Sequence, residues 1–513
     1  MDVFSSGDDT QPLHVTGAIT LDKSPDEYQA QDLSSHGLLS QTETESLFND
    51  FKTSWVLKFP FIVLSHEQTA SHAQKHNPFL FLCILGVTID FAHPRHEQIQ
   101  DQVMDQITSR IIRNAERNTD LLQGLLVYTA WYRYPSHGVM RELLLLLQLC
   151  ATLVFDLNLE KTAALTMDEK RAILGTYWLS IGLGRTLGKP VGLMYADCIG
   201  ELSRDVASTS AVCASNSWAG NLALLQTLIS RVDESLLATK KSSESTGSEG
   251  LPQILSALFS RELENLKTSL SMVSDVAVPI QRVLSLEIQV AELAIRETCL
   301  SGSRWPRQTS GSTYDAAIIT RTKMLWEYVK RSRSLIESFL STPDAEFWQS
   351  SFVTISRIRR TFETMADAVW TLFEIIENGY EEQSPSRQEE FRKVIKEADA
   401  LRLIAEIRRK LERVTQNVPA EKKEFEFYSM CHAKFKMCAA CYQHRTKDLG
   451  GIDAWDLGEE VAAVEETSLW DGGGGMLEDI ADLVAAPEGT IWGEEWWSYT
   501  NHGVAGNGRY GRF

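Results

Sequence analysis

Apolar residues are concentrated between residues 78 and 158, which read PFLFLCILGVTIDF, then a polar amphipathic stretch, then LLQGLLVYTAWYRYP and RELLLLLQLCATLVFDLNL. No loop could keep this much apolar surface in water, so we predict buried helices. Pro78 suits a helix start, because it lacks the N–H that would remain unbonded there, and a helix is predicted over 78–91. An amphipathic helix is predicted over 96–113, because an apolar residue recurs there every four positions. These residues are Ile99, Val103, Ile107 and Ile111.

Helix-start signals surround this stretch. Thr42–Glu45 (TETE) and Thr166–Glu169 (TMDE) have the capping-box pattern, in which a hydroxyl and a carboxylate three residues apart bond each other's backbone N–H. Asn118 is placed to cap a helix that runs to about Tyr134, and a further helix is predicted over 136–159. Before these helices, the segment KFPFIVLS predicts an apolar extended strip fixed by its proline.

The rest of the body continues the helical pattern. Helices are predicted over 210–238 and 252–300, with TKKSSESTGSEG near 239–250 as a flexible surface linker. Four further helical patterns occupy 312–446, and no run of alternating β-branched residues predicts a sheet. The predicted fold class is therefore all-α over 43–446, as one large multi-helix domain. The breaks between its last helices fall at Pro343, Ser384-Pro385 and Pro419.

The two ends of the chain differ from the body. Residues 1–40 are polar and lack any period, so we predict that they are disordered. The tail, 448–513, is acidic and has no Lys or Arg between Asp448 and Gly508. It is either a solubilising tail or an activation segment whose aromatic residues dock into coactivator grooves, and we favour the second interpretation. The candidate activation residues are Trp455, Trp470, Trp492, Trp496 and Trp497.

Charge and composition limit the classes of function. The 513 residues carry a net charge of −19, whereas a domain that holds DNA by itself normally has a basic face. The longest apolar run, 143–159, is interrupted by Gln148, Asp156 and Asn158 and falls short of the roughly 20 apolar residues that span a bilayer. The N-terminus has no signal-peptide pattern, and the eight cysteines do not suggest a disulfide framework. We therefore expect a soluble intracellular protein without a membrane partner.

Four segments in order resemble the fungal-specific transcription factor domain, the middle homology region of fungal zinc-cluster regulators. They are FPFIVL, PFLFLCILGV, ERNTDLLQGLLVYTAWYRY and LLLLLQLCATLVFDLNL. The later segment EKRAILGTYWLSIGLGRTLGKPVGLMYADCI is similar to a second family signature, with five residues at matching places. These are Arg171, Arg185, Gly188, Lys189 and Pro190. The resemblance is close over 55–200 and looser to about 450. The resemblance implies a nuclear transcription regulator that controls a metabolic or biosynthetic gene set, such as the genes of secondary metabolism.

The chain departs from that family in one respect. The regulators usually carry an N-terminal cluster of six cysteines around two zinc ions, and here no cysteine precedes Cys83. The resemblance then implies that DNA is contacted only indirectly or through a missing zinc cluster. A coactivator or a DNA-bound protein is the implied partner, and a homodimer is left open. The alternative function is a helical scaffold or ligand-sensing module without a DNA role.

Several candidate sites are weaker than their residue types suggest. Five residues near the end of the body offer soft zinc ligands, but their segment has a core stripe at helical spacing, so no metal site is predicted. They are Cys431, His432, Cys438, Cys441 and His444. Five further histidines are predicted to lie on the surface or in loops. They are His66, His72, His76, His93 and His96.

The basic segments RIRR (357–360) and EIRRKLER (406–413) are predicted to be solvated helix faces, with a nuclear import signal as the less favoured alternative. An α-helical enzyme ranks third among the functions. Asp8-Asp9 is the single adjacent Asp pair, LGRTLGKP lacks the P-loop spacing, and no G-x-S-x-G motif occurs. The sequence therefore predicts no catalytic residue, no cofactor and no enzyme activity.

Overall fold

A computed structural model describes residues 38–65, 67–133, 139–157, 165–187, 197–209, 214–242, 251–271, 278–300, 316–379, 385–420, 423 and 427–450. These residues form helices and connecting turns, with no strand among them, so the predicted all-α fold class is confirmed. The predicted disordered segment, 1–40, and the acidic tail, 448–513, lie almost wholly outside the described residues. Residues 448–450 continue the last helix, so the helical body extends slightly further than predicted.

Seventeen α-helices occupy the described part of the chain. They are α1 Gln41–Asp50, α2 Ala70–His76, α3 Pro78–Thr88, α4 His96–Gln106, α5 Thr119–Ala130, α6 Val139–Asp156, α7 Met167–Leu187, α8 Asp197–Ser208, α9 Ala214–Ser242, α10 Leu251–Ser271, α11 Val278–Arg296, α12 Ala316–Leu340, α13 Asp344–Trp348, α14 Phe352–Gly379, α15 Pro385–Ala398, α16 Ala400–Val414 and α17 Phe427–Gly450. Short π-helical turns extend α1 and α4, and 3-10 turns occupy Val56–Lys58 and Glu297–Cys299.

Capping boxes begin helices α1 and α7. Ser40 caps α1: its hydroxyl accepts from the backbone N–H of Glu43 at 3.2 Å, and the Glu43 carboxylate accepts from the Ser40 N–H at 2.8 Å. The box predicted at Thr42–Glu45 is therefore wrong by two residues, since the extended backbone that a cap needs occurs at Ser40. At α7 the prediction is confirmed, because Glu169 and Thr166 bond each other's backbone N–H at 2.7 and 3.3 Å.

Helices α3 and α5 form the centre of the body. Every α3 residue from Phe79 onward is buried, and α5 is buried from Leu121 apart from a single residue. The two helices cross at Gly124, where a Cβ atom would lie 2.5 Å from the Phe79 ring, so only glycine permits this approach. The Asp120 carboxylate of α5 accepts the N–H groups of Phe79 and Leu80 at 3.1 and 2.9 Å, which caps the first turn of α3. Burial raises the pKa of Asp120.

The segment predicted to be an extended strip turns instead. The chain leaves the 3-10 turn at Val56–Lys58 and bends around Pro60, so that two phenylalanine rings reach the core. Phe59 and Phe61 both lie 5.9 Å from the ring of Trp178, and Phe59 also contacts Trp131. These aromatic contacts join the chain before α2 to α5 and α7.

Helices α7 to α11 form the next layer. At Gly220 of α9 a Cβ atom would lie 2.7 Å from the backbone N of Ala207, so α8 and α9 pack with their backbones close together. The first half of α9 belongs to the main hydrophobic core, and its second half packs with α10 and α11 in a smaller separate cluster. Helix α9 continues to Ser242, so the predicted linker 239–250 begins as helix and its remainder lies outside the described residues.

Six helices, rather than the predicted four, occupy the described residues between 316 and 450. Pro343 precedes α13, Pro385 begins α15, and Pro419 lies between α16 and α17, so the proline breaks are confirmed. The additional break between α15 and α16 falls at Asp399, whose backbone is left-handed (φ 50°). No proline or glycine marks that break in the sequence. No helix among the described residues is long and apolar enough to cross a bilayer.

A buried arginine network as candidate functional site

The basic segment 357–360 lies in the interior and not on a solvated face. Arg357 and Arg359 are each only 5% exposed, and Arg360 is half-buried. The prediction for this segment is therefore wrong. Helix α14 packs against α7 on one side and α12 on another, so its arginines meet other helices where solvent was expected.

Arg357 is the centre of the first group of contacts. Its guanidinium pairs with Glu287 of α11, donates to the side-chain oxygen of Gln226 of α9 at 2.5 Å, and lies 5.1 Å from the Trp178 ring of α7. Four helices therefore meet at one side chain. Burial lowers the pKa of Arg357 and raises that of Glu287, and their mutual attraction opposes both shifts. Both directions show that desolvation of the two charges is a large cost that the pair must offset.

A second group lies at the end of α7. Arg185 pairs with Asp233 of α9 and, at 2.7 Å, with Glu297, which also accepts from Arg360 at 3.1 Å. Burial would raise the pKa of Glu297, but Arg185 and Arg360 outweigh it and hold that pKa below its usual range. The pKa of Asp233 is raised, because burial there outweighs Arg185. Glu297 is thus the ionised centre between two arginines.

Arg359 of α14 bonds to the last turn of α7. It pairs with Glu363, one helical turn further along α14, and donates to the backbone carbonyl of Thr186 at 2.7 Å. A cation at this position satisfies a carbonyl that has no partner within the helix and matches the negative end of the helix dipole. Burial raises the pKa of Glu363 to about 7, although Arg359 and Arg360 lower it.

The two arginines singled out by the family resemblance both lie on α7 and both face α9. Arg171 is buried and bonds Asn216 of α9 and Asp168 of its own helix, while Arg185 bonds Asp233. The resemblance thus identified one residue of the network, Arg185, whereas Arg171 bonds Asn216 and Asp168 apart from the groups described above. The other matching residues, 188–190, lie outside the described set.

The second basic segment, 406–413, divides between the interior and the surface. Lys410 is buried and donates to the backbone carbonyls of Leu340, at 3.1 Å, and Thr342. Arg413 is 55% exposed and bonds Asp344 at 2.8 Å, so the predicted solvated face is confirmed for Arg413 and wrong for Lys410. Hydrogen bonds from Arg413, with the help of Lys410, lower the pKa of Asp344 to about 2.

The cysteines of α17 lie in the core. Cys431 and Cys438 are buried in a stripe with Tyr428, Phe435 and Tyr442, which confirms the prediction of core packing for these residues. Burial lowers the pKa of His432, and the side chains of Cys441 and His444 lie outside the described set. In the part of the chain that the structure describes, no three His, Cys, Asp or Glu residues are grouped closely enough to hold a metal ion.

The predicted surface histidines are confirmed in part. His72 and His76 are exposed and stack at 4.1 Å, and His93 lies 3.6 Å from Glu43 at the surface. His96 is buried against Phe91 at the start of α4, so its prediction is wrong. His66 and the five tail tryptophans, 455, 470, 492, 496 and 497, lie outside the described residues.

A second candidate is a cleft of about 360 Å³ that helices α1 to α4 bound. It is much larger than two cavities of about 10 and 30 Å³ near α14 and α5. No sequence pattern pointed to it, because its lining comes from four separate helices. The network is fitted to hold helices α7, α9, α11 and α14 in one arrangement, whereas the cleft has room for a small molecule.

Comparison with curated proteins finds relatives among fungal transcription factors. The chain is 24% identical over 351 residues to a protein named "Transcription factor" from Aspergillus terreus, which covers 64% of this chain and 52% of that protein. It is 24% identical over 220 residues to "Transcription factor himD" from Aspergillus japonicus, covering 39% of this chain and 36% of the relative. A stretch of 97 residues, 18% of this chain and 13% of the relative, is 30% identical to "Transcription factor pbcR" from Emericella nidulans.

These matches cover only part of each relative. The chain spans about a third to a half of the length of the first two relatives. No protein-family model matches the chain, and no solved structure matches it. The similarity to fungal proteins named as transcription factors agrees with the family resemblance read from the sequence. The particular domain and the loss of a zinc cluster remain predictions.

Proposed function

We propose that this protein is a transcription regulator of a fungal nucleus that controls a metabolic or biosynthetic gene set. The observation that carries the proposal is the similarity to a named transcription factor over 351 residues, 64% of the chain. The all-helical body supports it, because the family resemblance implies a large helical regulatory domain. The kind of gene set rests on that resemblance alone. The nucleus is supported by the resemblance and by the names of the relatives. The view that the chain is not an enzyme is supported by those names and by the lack of a catalytic motif in the sequence.

In this proposal the protein reaches DNA indirectly through a DNA-bound partner protein, or through a zinc cluster that is not among these 513 residues. Its net charge of −19 opposes binding to phosphates. Of the basic segments, Arg357 and Arg359 are buried and paired, and Lys410 is bonded to backbone carbonyls. These cations are therefore not available to a nucleic acid, which supports indirect contact with DNA.

The acidic tail is proposed as the activation segment that contacts a coactivator. Burying an indole in a partner groove contributes about 2 to 3 kcal/mol, whereas one exposed charge contributes under about 1 kcal/mol. The aromatic residues should therefore matter more than individual acidic residues. Candidates near the end of the tail are Trp492, Trp496 and Trp497, interspersed with Glu488, Glu494 and Glu495.

A reporter assay tests this function. The full chain is fused to an unrelated DNA-binding domain and assayed on a reporter gene in a fungal host. We expect activation, and we expect a larger loss when the three tryptophans become Ala than when the three glutamates become Gln. Both variants change three neighbouring side chains, so each is a control for the other. A silent wild-type fusion, or the opposite ranking of the two variants, would contradict the activation proposal.

Association of two copies through α6 is also proposed. Leu145 and Phe155 on the outer face of this helix are 53% and 50% exposed, and no charged residue lies between Glu142 and Asp156. Gln148 and Thr152 are also exposed on this face, so it is uncharged but partly polar. In a chain of net charge −19, a second copy meets little repulsion on an uncharged face. An isologous pairing of α6 with its symmetry mate would cover both side chains.

The second candidate function is a ligand-sensing module without a DNA role. The cleft between α1 and α4 favours it, since a volume of about 360 Å³ is in the range of small-molecule sites. The reporter assay separates the two functions. A sensing module without a DNA role should leave the reporter silent.

A further inference from the structure

The cleft has an apolar floor that belongs to the main core. Phe81, Leu82 and Leu85 of α3 and Ile99 of α4 line it, and all four are buried members of the central hydrophobic cluster. Leu38 and Leu39, which precede α1, add apolar surface at the side. Because the floor is part of α3, the most completely buried helix among those bounding the cleft, the shape of the cleft is fixed by core packing.

The rim of the cleft is polar and carries no positive charge. Its polar lining residues are three amides, two hydroxyls and one carboxylate, and no Lys, Arg or His is among the described lining residues. Glu45 accepts from the Gln41 amide at 3.0 Å, so the carboxylate is held at the edge by its own helix. The amides and hydroxyls can both donate and accept hydrogen bonds, so the single carboxylate, Glu45, makes the rim favour donors and cations over anions. The polar residues are Gln41, Thr44, Glu45, Ser71, Gln74 and Gln102.

Gln102 provides an independent observation. Its side-chain carbonyl oxygen is shielded from solvent, and no described residue donates a hydrogen bond to it. A buried acceptor left unsatisfied costs about 1 to 3 kcal/mol. Gln102 lines the cleft, so a rotation of its amide toward the cleft would let a donor group on a bound molecule supply the missing hydrogen bond.

We propose that this cleft binds a small amphipathic molecule whose apolar part lies on the α3 floor and whose head group is a neutral or cationic hydrogen-bond donor. The head group belongs at the rim, between Gln102 and Glu45. An amine or an alcohol fits this description, and a carboxylate or phosphate does not. The inference concerns binding alone, so it holds or fails independently of any role in transcription.

Three probes with the same tail and different head groups test the proposal. The full-length protein is titrated by calorimetry with n-octylamine, 1-octanol and octanoate at physiological salt. We expect one saturable site per chain for the amine and the alcohol, and at least roughly tenfold weaker binding of octanoate, equivalent to about 1.4 kcal/mol. Equal binding of all three probes would overturn the proposed head-group selectivity.

Two pairs of variants locate the site. Ser71→Trp places an indole into the cleft from an exposed position of α2, and His72→Trp is its control on the neighbouring exposed residue outside the lining. Gln102→Leu removes the unsatisfied acceptor, and Gln106→Leu is its control one turn along α4. We expect Ser71→Trp to abolish saturable binding and Gln102→Leu to weaken it about tenfold, with both controls unchanged.

The controls also exclude binding to the acidic surface. An ammonium ion that binds the negative surface non-specifically would be insensitive to Ser71→Trp and would be lost at high salt. Such a result overturns the proposal, as does the absence of saturable binding for both the amine and the alcohol. Thermal unfolding of each variant without probe confirms that it is folded before it is titrated.

Discussion

The pair of Arg357 and Glu287 gives the sharpest quantitative expectation. Replacing Arg357 with Met removes the buried guanidinium and leaves Glu287 in the interior without its partner. Breaking a buried ion pair from one side costs about 3 to 5 kcal/mol, because the remaining charge stays desolvated. The variant also removes the donor that bonds Gln226 at 2.5 Å. We therefore expect the free energy of unfolding to fall by at least about 3 kcal/mol.

The double variant Arg357→Met, Glu287→Leu should recover most of that loss. It removes both charges together, and apolar replacements of buried pairs are often neutral or stabilising by about 1 to 4 kcal/mol. The pKa directions agree with this expectation, since burial lowers the pKa of Arg357 and raises that of Glu287 despite their attraction. The coupling energy between the two substitutions should exceed about 2 kcal/mol.

Urea unfolding followed by circular dichroism measures these free energies. Arg413→Met is the matched control, since Arg413 is 55% exposed and its pair with Asp344 should contribute under about 1 kcal/mol. Where Arg357→Met proves too unstable to purify, Glu287→Gln gives the same comparison with a smaller loss. Refutation would be a loss below about 1 kcal/mol for Arg357→Met, or a double variant as unstable as the sum of the single changes.

Three further expectations concern packing, pH and association. Gly220→Ala should lower the free energy of unfolding in urea by about 1 to 3 kcal/mol, because α8 leaves no room for a Cβ atom. Gly379→Ala is the control: no atom lies within 4 Å of its added Cβ, so the free energy should change by less than about 1 kcal/mol. Similar values for the two variants would contradict the close packing of α8 and α9. Burial raises the pKa of Glu363 in the folded protein from its ordinary value of 4.5 to about 7. Between pH 4.5 and pH 7 the folded protein therefore binds a proton that the unfolded chain lacks. The free energy of unfolding should fall as the pH rises through this range. Glu363→Gln should flatten this fall, and an unchanged slope would show that Glu363 ionises normally. Leu145→Glu should convert the dimer to a monomer, as measured by light scattering after size exclusion. Ile254→Glu, which alters another exposed apolar residue, should leave the dimer intact. A monomeric wild-type protein at micromolar concentration would refute the α6 pairing.

Most of the helices could be predicted because each one carries its own evidence. The apolar stripe of α4, the caps at Asn118 and Thr166, and the prolines at 78 and 385 are local signals, and the structure places helices at all of them. The break at Asp399 was missed, since a left-handed aspartate has no distinctive sequence neighbourhood.

The candidate sites could not be predicted in the same way. An arginine among apolar residues at helical spacing has the same pattern whether it faces water or a carboxylate on another helix. Gln226, which accepts from Arg357, lies 131 residues earlier in the chain, so nothing near 357–360 indicates its presence. The cleft could not be predicted for the same reason, because its lining comes from four helices that are separate in the sequence. Local pattern therefore identifies elements, and contacts between distant elements decide the sites.

The division of α9 between two hydrophobic clusters bears on how the body opens. Leu222 and Ala223 pack in the main core, while Leu228, Ile229 and Val232 pack with α10 and α11 in the smaller cluster. Because few apolar side chains connect the two clusters, α10 can detach without exposing the main core. Backbone amides in the second half of α9 would then exchange with deuterated solvent during partial openings. Backbone amides in the first half would exchange only when the whole body unfolds. Amide exchange along this one continuous helix would therefore give two different free energies of opening.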